Sequence, residues 1–238
     1  MRRLKVRNLS VAILLVFLMA APLEAGRGLA VPPGAQAVTV PPGIYTLTEP
    51  IVLGDLPRGF VYDASAAVFI AAQPMWAMMR VEPSAGQQQL DVTIRLGILD
   101  GRGLAAVGLA VTRTQDSLFE VRSIQNMVDA GVYAYQTGEF GTFNNFWRIG
   151  SIRNGTYNGF VAYSPDKGVL GFQGNHVEIG QIIAQGQSGI AIFGQQSCCN
   201  FFLVGPVEHN GQYGCYDEGQ QNQWIIVNSN SNGLTQRC

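Results

Sequence analysis

The sequence predicts an all-β protein whose strands stack as a right-handed parallel β-helix. Glycine supplies 29 of the 238 residues and no long helical periodicity is present, which favours many short strands joined by tight turns. A strand motif also recurs along the chain. Its copies begin at Val92, Ser117, Asn145, Asn175, Asn200 and Gln223.

The starts of these copies are separated by steps of 25, 28, 30, 25 and 23 along the sequence. Each copy is followed by a second strand motif and then by a third strand that opens with glycine, as at Gly131. We expect three strands in each coil, with one coil per step of the repeat, because parallel strands must hydrogen-bond to their equivalents one turn away. The additional residues of the longer coils follow the third strand and predict projecting loops over 136–145 and 164–173.

Residues 1–25 predict a secretory signal peptide. Basic side chains at the very start precede an apolar run over 11–19, and small residues follow as far as Ala25. The run is too short for a membrane anchor, which needs about 20 apolar residues. We therefore expect a secreted or periplasmic protein with no membrane span after signal removal. Residues 26–238 are then a single β-helix domain.

The charge of the chain argues against one class of partner. Charged residues make up 13% of the sequence and the formal net charge is −1. Nucleic acid is bound through a basic stripe or patch. The composition therefore excludes nucleic acid as a partner.

All four cysteines lie in the last fifth of the chain, and export permits disulfides. Cys215 and Cys238 are separated by the last step of the repeat and occupy equivalent positions of adjacent coils. Parallel stacking would place their Cα atoms about 4.8 Å apart, within disulfide range, and we predict a bridge between them. Cys198 and Cys199 are neighbours that would pair only with strain, and their state stays open.

Strand alternation assigns the side chains of each copy to the two faces of a sheet. One outward position of the first strand carries alternating charges in consecutive coils, which stabilises a sheet. The other outward position runs from Thr93 to Trp224 and includes His176, expected to be a stacked neighbour of aromatic rings. The charge ladder is Arg95, Glu120, Arg148 and Glu178. The inward set, expected to form the core, is Phe119, Val121, Trp147, Ile149, Val177, Ile179, Phe202, Val204, Ile225 and Val227.

The third strand predicts an outward aromatic row. Flat rings offer an apolar surface to a sugar, and tyrosine hydroxyls can bond its hydroxyl groups. We therefore interpret the row as a substrate-binding surface for an extended glycan. The alternative is that the projecting loops or another subunit cover it. The predicted substrate-binding residues are Tyr133, Tyr135, Tyr163, Phe193 and Tyr216, with Arg113 and Glu218 toward the two ends.

One turn position is shared by Asn126, Asn154, His209 and Asn232. Asparagine tolerates a left-handed backbone, and stacked amides can bond one another. We interpret this position as structural.

Two segments and the coils after them resemble a known group of proteins. The segments are Pro41–Tyr45 and Gly97–Gly103. With them, most of the mature chain resembles the pectate-lyase-like superfamily of right-handed parallel β-helix proteins. That superfamily includes pectate lyases, polygalacturonases, alginate lyases and epimerases, phage tailspikes and non-catalytic surface proteins. The resemblance implies the fold and is not specific for an activity. As partner of the aromatic face we expect an extracellular or cell-envelope polysaccharide, acidic or neutral.

The catalytic motifs of that superfamily are not matched. The polygalacturonase set with Gly-His-Gly and Arg-Ile-Lys is absent, and so is the pectate-lyase Arg-x-Pro-x-x-Arg run. Glycoside hydrolysis needs two carboxyl groups, and uronate elimination needs a base with a cation or an arginine. The weak catalytic candidates are Glu139, Asp166 and Lys167, which are also explained as solvated loop charges. No cofactor is expected, and Ca²⁺ only if the chain is a lyase.

Two functions remain open from the sequence. The first is an exported β-helix protein that binds or acts on a polysaccharide through the aromatic face, as a polysaccharide lyase or glycoside hydrolase if it is an enzyme. The second is a non-catalytic exported structural or adhesive protein, which the missing motifs favour. An open strand edge at the last coil invites pairing and predicts a homo-oligomer through the C-terminal coil.

Overall fold

The strands stack as a parallel β-solenoid of about six turns, which confirms the predicted all-β parallel β-helix. The computed structural model describes residues 31–32, 34–165, 171–230 and 232–233. The predicted signal peptide over 1–25 lies outside the described residues, as do Asp166, Lys167 and Cys238.

The described chain forms 22 strands. Their bounds are β1 (Ala37–Thr39), β2 (Gly43–Leu47), β3 (Ile51–Leu53), β4 (Val61–Ala71), β5 (Met75–Val81), β6 (Gln89–Leu90), β7 (Thr93–Asp100), β8 (Ala105–Val111), β9 (Thr114–Gln115), β10 (Leu118–Gln125), β11 (Ala130–Tyr135), β12 (Thr142–Phe143), β13 (Phe146–Ile149), β14 (Ile152–Arg153), β15 (Asn158–Tyr163), β16 (Phe172–Gln173), β17 (His176–Ile179), β18 (Ile182–Ile183), β19 (Ile190–Phe193), β20 (Phe201–Glu208), β21 (Cys215–Asp217) and β22 (Gln223–Asn230).

These strands make three parallel sheets. Sheet A contains the first and second strands of the coils, in the order β1-β4-β7-β10-β13-β17-β20, with β2, β14, β18 and β22 joined to it. Sheet B contains the third strands, in the order β3-β5-β8-β11-β15-β19-β21. Sheet C is a narrow strip of two-residue strands, β6-β9-β12-β16, which sequence reasoning missed.

The strand register confirms four of the five predicted repeat spacings. Hydrogen bonds join equivalent residues that are 25, 28, 30 and 25 positions apart along the chain. The longer steps arise in the segments that follow β11 and β15, and the predicted loop ranges 136–145 and 164–173 contain the short strands β12 and β16. The final step is 22 residues and not 23, because Phe201 pairs with Gln223.

The predicted faces of the last strand are therefore wrong by one residue. Trp224 points inward and stacks on Phe202, with ring centroids 4.0 Å apart and 7° between the ring planes. Ile225 and Val227, expected in the core, are 51% and 71% exposed. The cause is Asn222, whose side chain, and not that of Gln223, continues a column of asparagines at the corner of the coil.

The remaining predicted core residues are buried and lie in columns along the axis of the coil. Phe119 and Trp147 stack with their centroids 4.4 Å apart, and Phe160 meets the edge of Trp147 at 5.7 Å. Each buried large apolar side chain contributes roughly 1.5–3 kcal/mol relative to an exposed one. The confirmed first-strand residues are Phe119, Val121, Trp147, Ile149, Val177, Ile179, Phe202 and Val204.

A ladder of asparagine side chains fixes the corner that precedes each first strand. The Oδ1 atom of Asn175 accepts the N–H of Asn145 at 3.0 Å, and Asn200 accepts that of Asn175 at 2.9 Å. Asn222 accepts the N–H of Asn200 at 3.1 Å. Asn145, Asn175 and Asn200 are buried, and buried polar groups are costly unless they are hydrogen-bonded. The asparagine ladder therefore ties consecutive coils together at one defined register.

The residue before each rung has a left-handed backbone. The value of φ is 53° at Asp116 and Asn144, 63° at Gly174 and 61° at Cys199. This conformation turns the chain sharply, and aspartate, asparagine and glycine adopt it at least cost. The corner is thus set by a left-handed residue, followed by serine in the first of these coils and by asparagine in the others.

The predicted turn position forms a second left-handed column. Asn126, Asn154 and His209 have φ values of 59°, 57° and 57°, which confirms three of its four members. Asn232 was assigned wrongly, because its Oδ1 atom accepts the N–H of Asn210 at 3.1 Å and so belongs one position later. The error has the same origin as that in the last strand.

The outer face of sheet A carries the predicted charge ladder. Glu120 lies 2.8 Å from the Nε atom of Arg95 and 2.9 Å from an Nη atom of Arg148, and Arg148 also pairs with Glu178. His176 stacks on Phe146 at 4.6 Å, as predicted, and its Nε2 atom lies 3.1 Å from Glu178. Exposed ion pairs contribute little net stability, so the ladder chiefly favours the observed register.

We expect the substitution Asn175→Ala to lower the free energy of unfolding by about 2–4 kcal/mol, because it leaves buried donors without acceptors. The groups that lose their partner are the backbone and side-chain N–H of Asn145 and the carbonyl of Thr142. Urea unfolding followed by circular dichroism measures the change.

The matched control is Asn230→Ala, whose side chain is exposed at the end of β22. It should change the free energy of unfolding by less than about 0.5 kcal/mol. Equal effects of the two substitutions would contradict the role given to the ladder.

Candidate functional site

The outer face of sheet B brings the five predicted aromatic residues together. Alternation along β11, β15, β19 and β21 buries one set of side chains and turns the other outward. The buried set contains Val132, Phe160 and Ile190, as predicted. The outward set includes the aromatic row, which consists of Tyr133, Tyr135, Tyr163, Phe193 and Tyr216.

The rings of the aromatic row are in contact from one coil to the next. Tyr133 and Tyr163 stack with 22° between their planes and 6.2 Å between their centroids. Phe193 meets Tyr163 nearly edge-on at 6.4 Å and Tyr216 at 5.7 Å. Such pairs prefer centroid separations of about 4.5–7 Å. The row is therefore continuous over four coils.

Small side chains lie beneath the rings of the aromatic row and pack against them. Tyr133 pairs across the sheet with Ala110 on one side and Val161 on the other, and Val161 pairs with Ala191. These three small residues point outward and yet are at most 3% exposed. The rings of neighbouring coils cover them, so the row is a second, thinner apolar layer outside the coil.

Two aromatic residues that sequence reasoning missed extend the row at its ends. Trp76, which is 44% exposed, meets the edge of Tyr135 at 5.8 Å and carries the guanidinium of Arg80 at 5.3 Å from its ring. Tyr213 lies 5.6 Å from Tyr216 at the other end. Extending the third-strand repeat one coil back, to β5, would have found Trp76.

A shallow cavity of about 250 Å³ opens in the middle of the row. Its one acidic side chain among the described residues is Asp129, at the rim, and partial removal of water raises the pKa of that carboxyl above its ordinary value. Asn158, also in the cavity wall, accepts the N–H of Ser188 at 3.2 Å. Sequence reasoning missed Asp129, although it directly precedes the third strand. The lining residues are Asp129, Tyr133, Asn158, Val161, Tyr163 and Phe193.

The two charged residues predicted for the ends of the row differ in exposure. Glu218 is exposed and accepts the hydroxyl of Tyr216 at 2.6 Å, so it lies beside the row. Arg113 is 8% exposed, and its guanidinium donates to the carbonyl of Pro83. Its backbone is left-handed, with φ of 50°. Arg113 therefore offers little surface to a ligand.

Of the three weak catalytic candidates, the structure describes Glu139 alone. Glu139 is exposed in the loop after β11, and Asp166 and Lys167 lie outside the described residues. Tyr163 is 39% exposed, so the described parts of the loops leave its ring accessible. No group of three or more His, Cys, Asp or Glu side chains in that part of the chain could hold a metal ion.

The cysteine bridge stays a prediction, because Cys238 is not described. Cys215 is fully buried and pairs across the sheet with Ile190. Cys198 and Cys199 are free thiols.

Comparisons with known proteins do not assign a family. No protein-family model, no curated protein and no solved structure matches the chain. Within the described residues, no helix is both long and apolar enough to cross a membrane. The resemblance to the pectate-lyase-like superfamily therefore extends to the β-helix architecture alone.

Burial, followed by the nearby Tyr163, Asp129 and Tyr135, raises the pKa of Tyr133 to about 12. A raised tyrosine pKa means that the folded state holds the proton more tightly than the unfolded chain does. We expect stability to be full below about pH 10 and to fall as the pH rises toward 12. Unfolding midpoints in urea across this range measure the loss.

Tyr133→Phe should remove part of this alkaline loss and should delete the highest-pH component of the row in a spectrophotometric tyrosine titration. Tyr157→Phe serves as the control, because Tyr157 is 43% exposed. If both variants keep the wild-type alkaline profile, Tyr133 is not responsible.

Proposed function

We propose that this is an exported β-helix protein that binds an extracellular or cell-envelope polysaccharide through the aromatic row. The observation that supports the proposal is the continuous row of partly exposed rings, with a carboxyl and an amide at a shallow cavity in its middle. Sugars present flat C–H faces between hydroxyl groups, and an aromatic surface with polar groups at its margins complements both. A row parallel to the axis of the coil suits an extended chain.

The rigidity of the row supports a binding role. Each ring is held by its neighbours and by the small residues beneath, so little side-chain freedom remains to be lost when a ligand binds. The polar margin is supplied by Asp129, Asn158 and Glu218. The carboxylates of an acidic glycan could also pair with the Arg80 guanidinium, which lies beside Trp76 at one end of the row.

Removing a central ring should weaken glycan binding. Tyr163→Ala deletes the ring that contacts both Tyr133 and Phe193, and we expect about a 5- to 10-fold loss of affinity, since one aromatic contact is worth about 1 kcal/mol. Affinity electrophoresis in gels that contain polyuronates, neutral glucans or sulfated glycans measures the effect.

The control is Tyr157→Ala, which removes a ring of similar exposure, 43% against 39%, from outside the row. Its affinity should equal that of the wild type. The proposal fails if no polysaccharide of the panel is retarded, or if the two variants are retarded to the same degree.

We expect binding without turnover. Hydrolysis needs two carboxyl groups at one bond, and among the described residues that line the cavity only Asp129 is acidic. Incubation with the polysaccharides that bind, followed by assays for reducing and unsaturated ends, checks this expectation. Turnover that disappears in Asp129→Asn would instead identify an enzyme, of the lyase or hydrolase class.

A structural or adhesive role is the second candidate, and an exposed apolar patch favours it. Leu203, Ile225 and Val227 lie on the outer face of β20 and β22 and are 36%, 51% and 71% exposed. Within the described chain β22 pairs on one side only. Exposed apolar side chains beside an open strand edge promote association between copies.

If copies associate through this coil, the wild type should sediment as an oligomer, and the double variant Ile225→Thr and Val227→Thr should shift it toward the monomer. Both residues point outward, so the fold should persist. Sedimentation velocity measures the shift, and a monomeric wild type would exclude this role.

Export itself is tested by the N-terminal sequence of the protein recovered from the periplasm or the medium. It should begin close to residue 26. Retention of residues 1–25 on the recovered protein would contradict the predicted cleavage.

A further inference from the structure

Cys198 and Cys199 occupy a corner where their side chains converge. Adjacent residues in an extended strand point to opposite faces of a sheet. Cys199 instead has a left-handed backbone, with φ of 61°, and this breaks the alternation. The two Sγ atoms lie 2.9 Å apart, and both cysteines are free thiols.

The backbone around the two thiols is held on both sides. The N–H of Cys198 donates to the carbonyl of Phe172 at 3.1 Å, and its carbonyl accepts the N–H of Gly174 at 3.2 Å. The N–H of Cys199 donates to the carbonyl of Gln220 at 3.1 Å. Bonds to the preceding and the following coil therefore keep the corner, and with it the approach of the two thiols, in place.

The thiols differ in access to solvent. Cys199 is exposed, whereas Cys198 is half-buried. Burial, together with the neighbouring Cys199 thiol, raises the pKa of Cys198 to about 11. A reagent from solution therefore reacts first with Cys199, and the less accessible Cys198 reacts second.

A bond between these thiols would be strained. Consecutive Cα atoms are about 3.8 Å apart across a trans peptide, whereas disulfides usually join Cα atoms that are roughly 4.4–6.8 Å apart. Strained and exposed disulfides have high reduction potentials and are the labile ones. A ring formed here is consequently easy to reopen.

We propose that Cys198 and Cys199 form a reversible dithiol–disulfide site that exchanges with low-molecular-weight disulfides. The Cys199 thiolate attacks one sulfur of R–S–S–R, which forms a mixed disulfide and releases one R–S⁻. The Cys198 thiolate then attacks the Cys199 sulfur, which closes the Cys198–Cys199 bond and releases the second R–S⁻. The two protons lost by the cysteines end on the two released thiols. The site is independent of the proposed glycan binding.

The test uses the folded wild-type protein and oxidised glutathione. After exposure, free thiols are blocked with iodoacetamide, and the protein is denatured and cleaved on the carboxyl side of glutamate. Cuts after Glu178 and Glu208 yield a peptide that contains Cys198 and Cys199 without Cys215. We expect this peptide to be unalkylated and lighter by two hydrogen atoms than the dithiol form. Treatment of the oxidised protein with dithiothreitol before alkylation should restore two alkylated cysteines.

Two other outcomes of this experiment would overturn the proposal. A peptide that remains doubly alkylated shows that no exchange takes place. A lasting glutathione adduct on Cys199 shows that the ring does not close.

The pH dependence of ring closure tests the assigned order of attack. Because burial raises the pKa of Cys198, its thiolate fraction rises about tenfold per pH unit between about pH 7 and 9, and closure of the preformed mixed disulfide should accelerate accordingly. A rate independent of pH would contradict attack by Cys198.

Phenylarsine oxide probes the reduced site in the dithiol form. It condenses with two thiols, forms two As–S bonds and releases water, so one equivalent should bind to the reduced wild type. Cys198→Ser and Cys199→Ser each retain one thiol of the pair and should bind at least 100-fold more weakly. Binding of equal strength by a single-thiol variant would rule out a paired site.

Discussion

The structure depends on hydrogen bonds that bind each corner of the coil to the next corner along the axis. A parallel sheet forms only if equivalent residues of successive coils lie side by side, and a slip of one residue turns every side chain to the opposite face. The ladder of Asn145, Asn175, Asn200 and Asn222 prevents such a slip, because each amide bonds the backbone of the preceding rung. A left-handed residue before each rung provides the turn.

The last coil shows that this ladder, and not the hydrophobic pattern, determines the register. Residues 224–227 are Trp, Ile, Ile and Val, so apolar side chains would fill the core under either alternation. Asn222 selects the observed alternation, because its Oδ1 atom reaches the N–H of Asn200 only when the step is 22 residues. The energetic reason is that an unpaired buried amide costs more than exchanging one aliphatic side chain for another.

The aromatic row follows from that register together with a size pattern on the outer face of sheet B. Where one coil places a tyrosine, the adjacent coils place Ala110, Val161 or Ala191, and the large rings cover the small residues. The close packing of neighbouring rings also removes water from the hydroxyl of Tyr133 and raises its pKa. Rigidity and partial exposure therefore arise together in one surface, and this combination is what suits it to a flat ligand.

The repeat, its period of about two dozen residues and the strict alternation of its strands were readable from the sequence, because both depend only on spacing along the chain. They predicted the parallel coil, the core columns and all five rings of the aromatic row. The tertiary structure decided where alternation stops. At the left-handed Cys199 the side chain leaves the pattern, and the thiols of Cys198 and Cys199 come together. It also decided which side chains from different coils share a cavity, as Asp129 and Tyr163 do, because such contacts depend on distances across the stack and not along the chain.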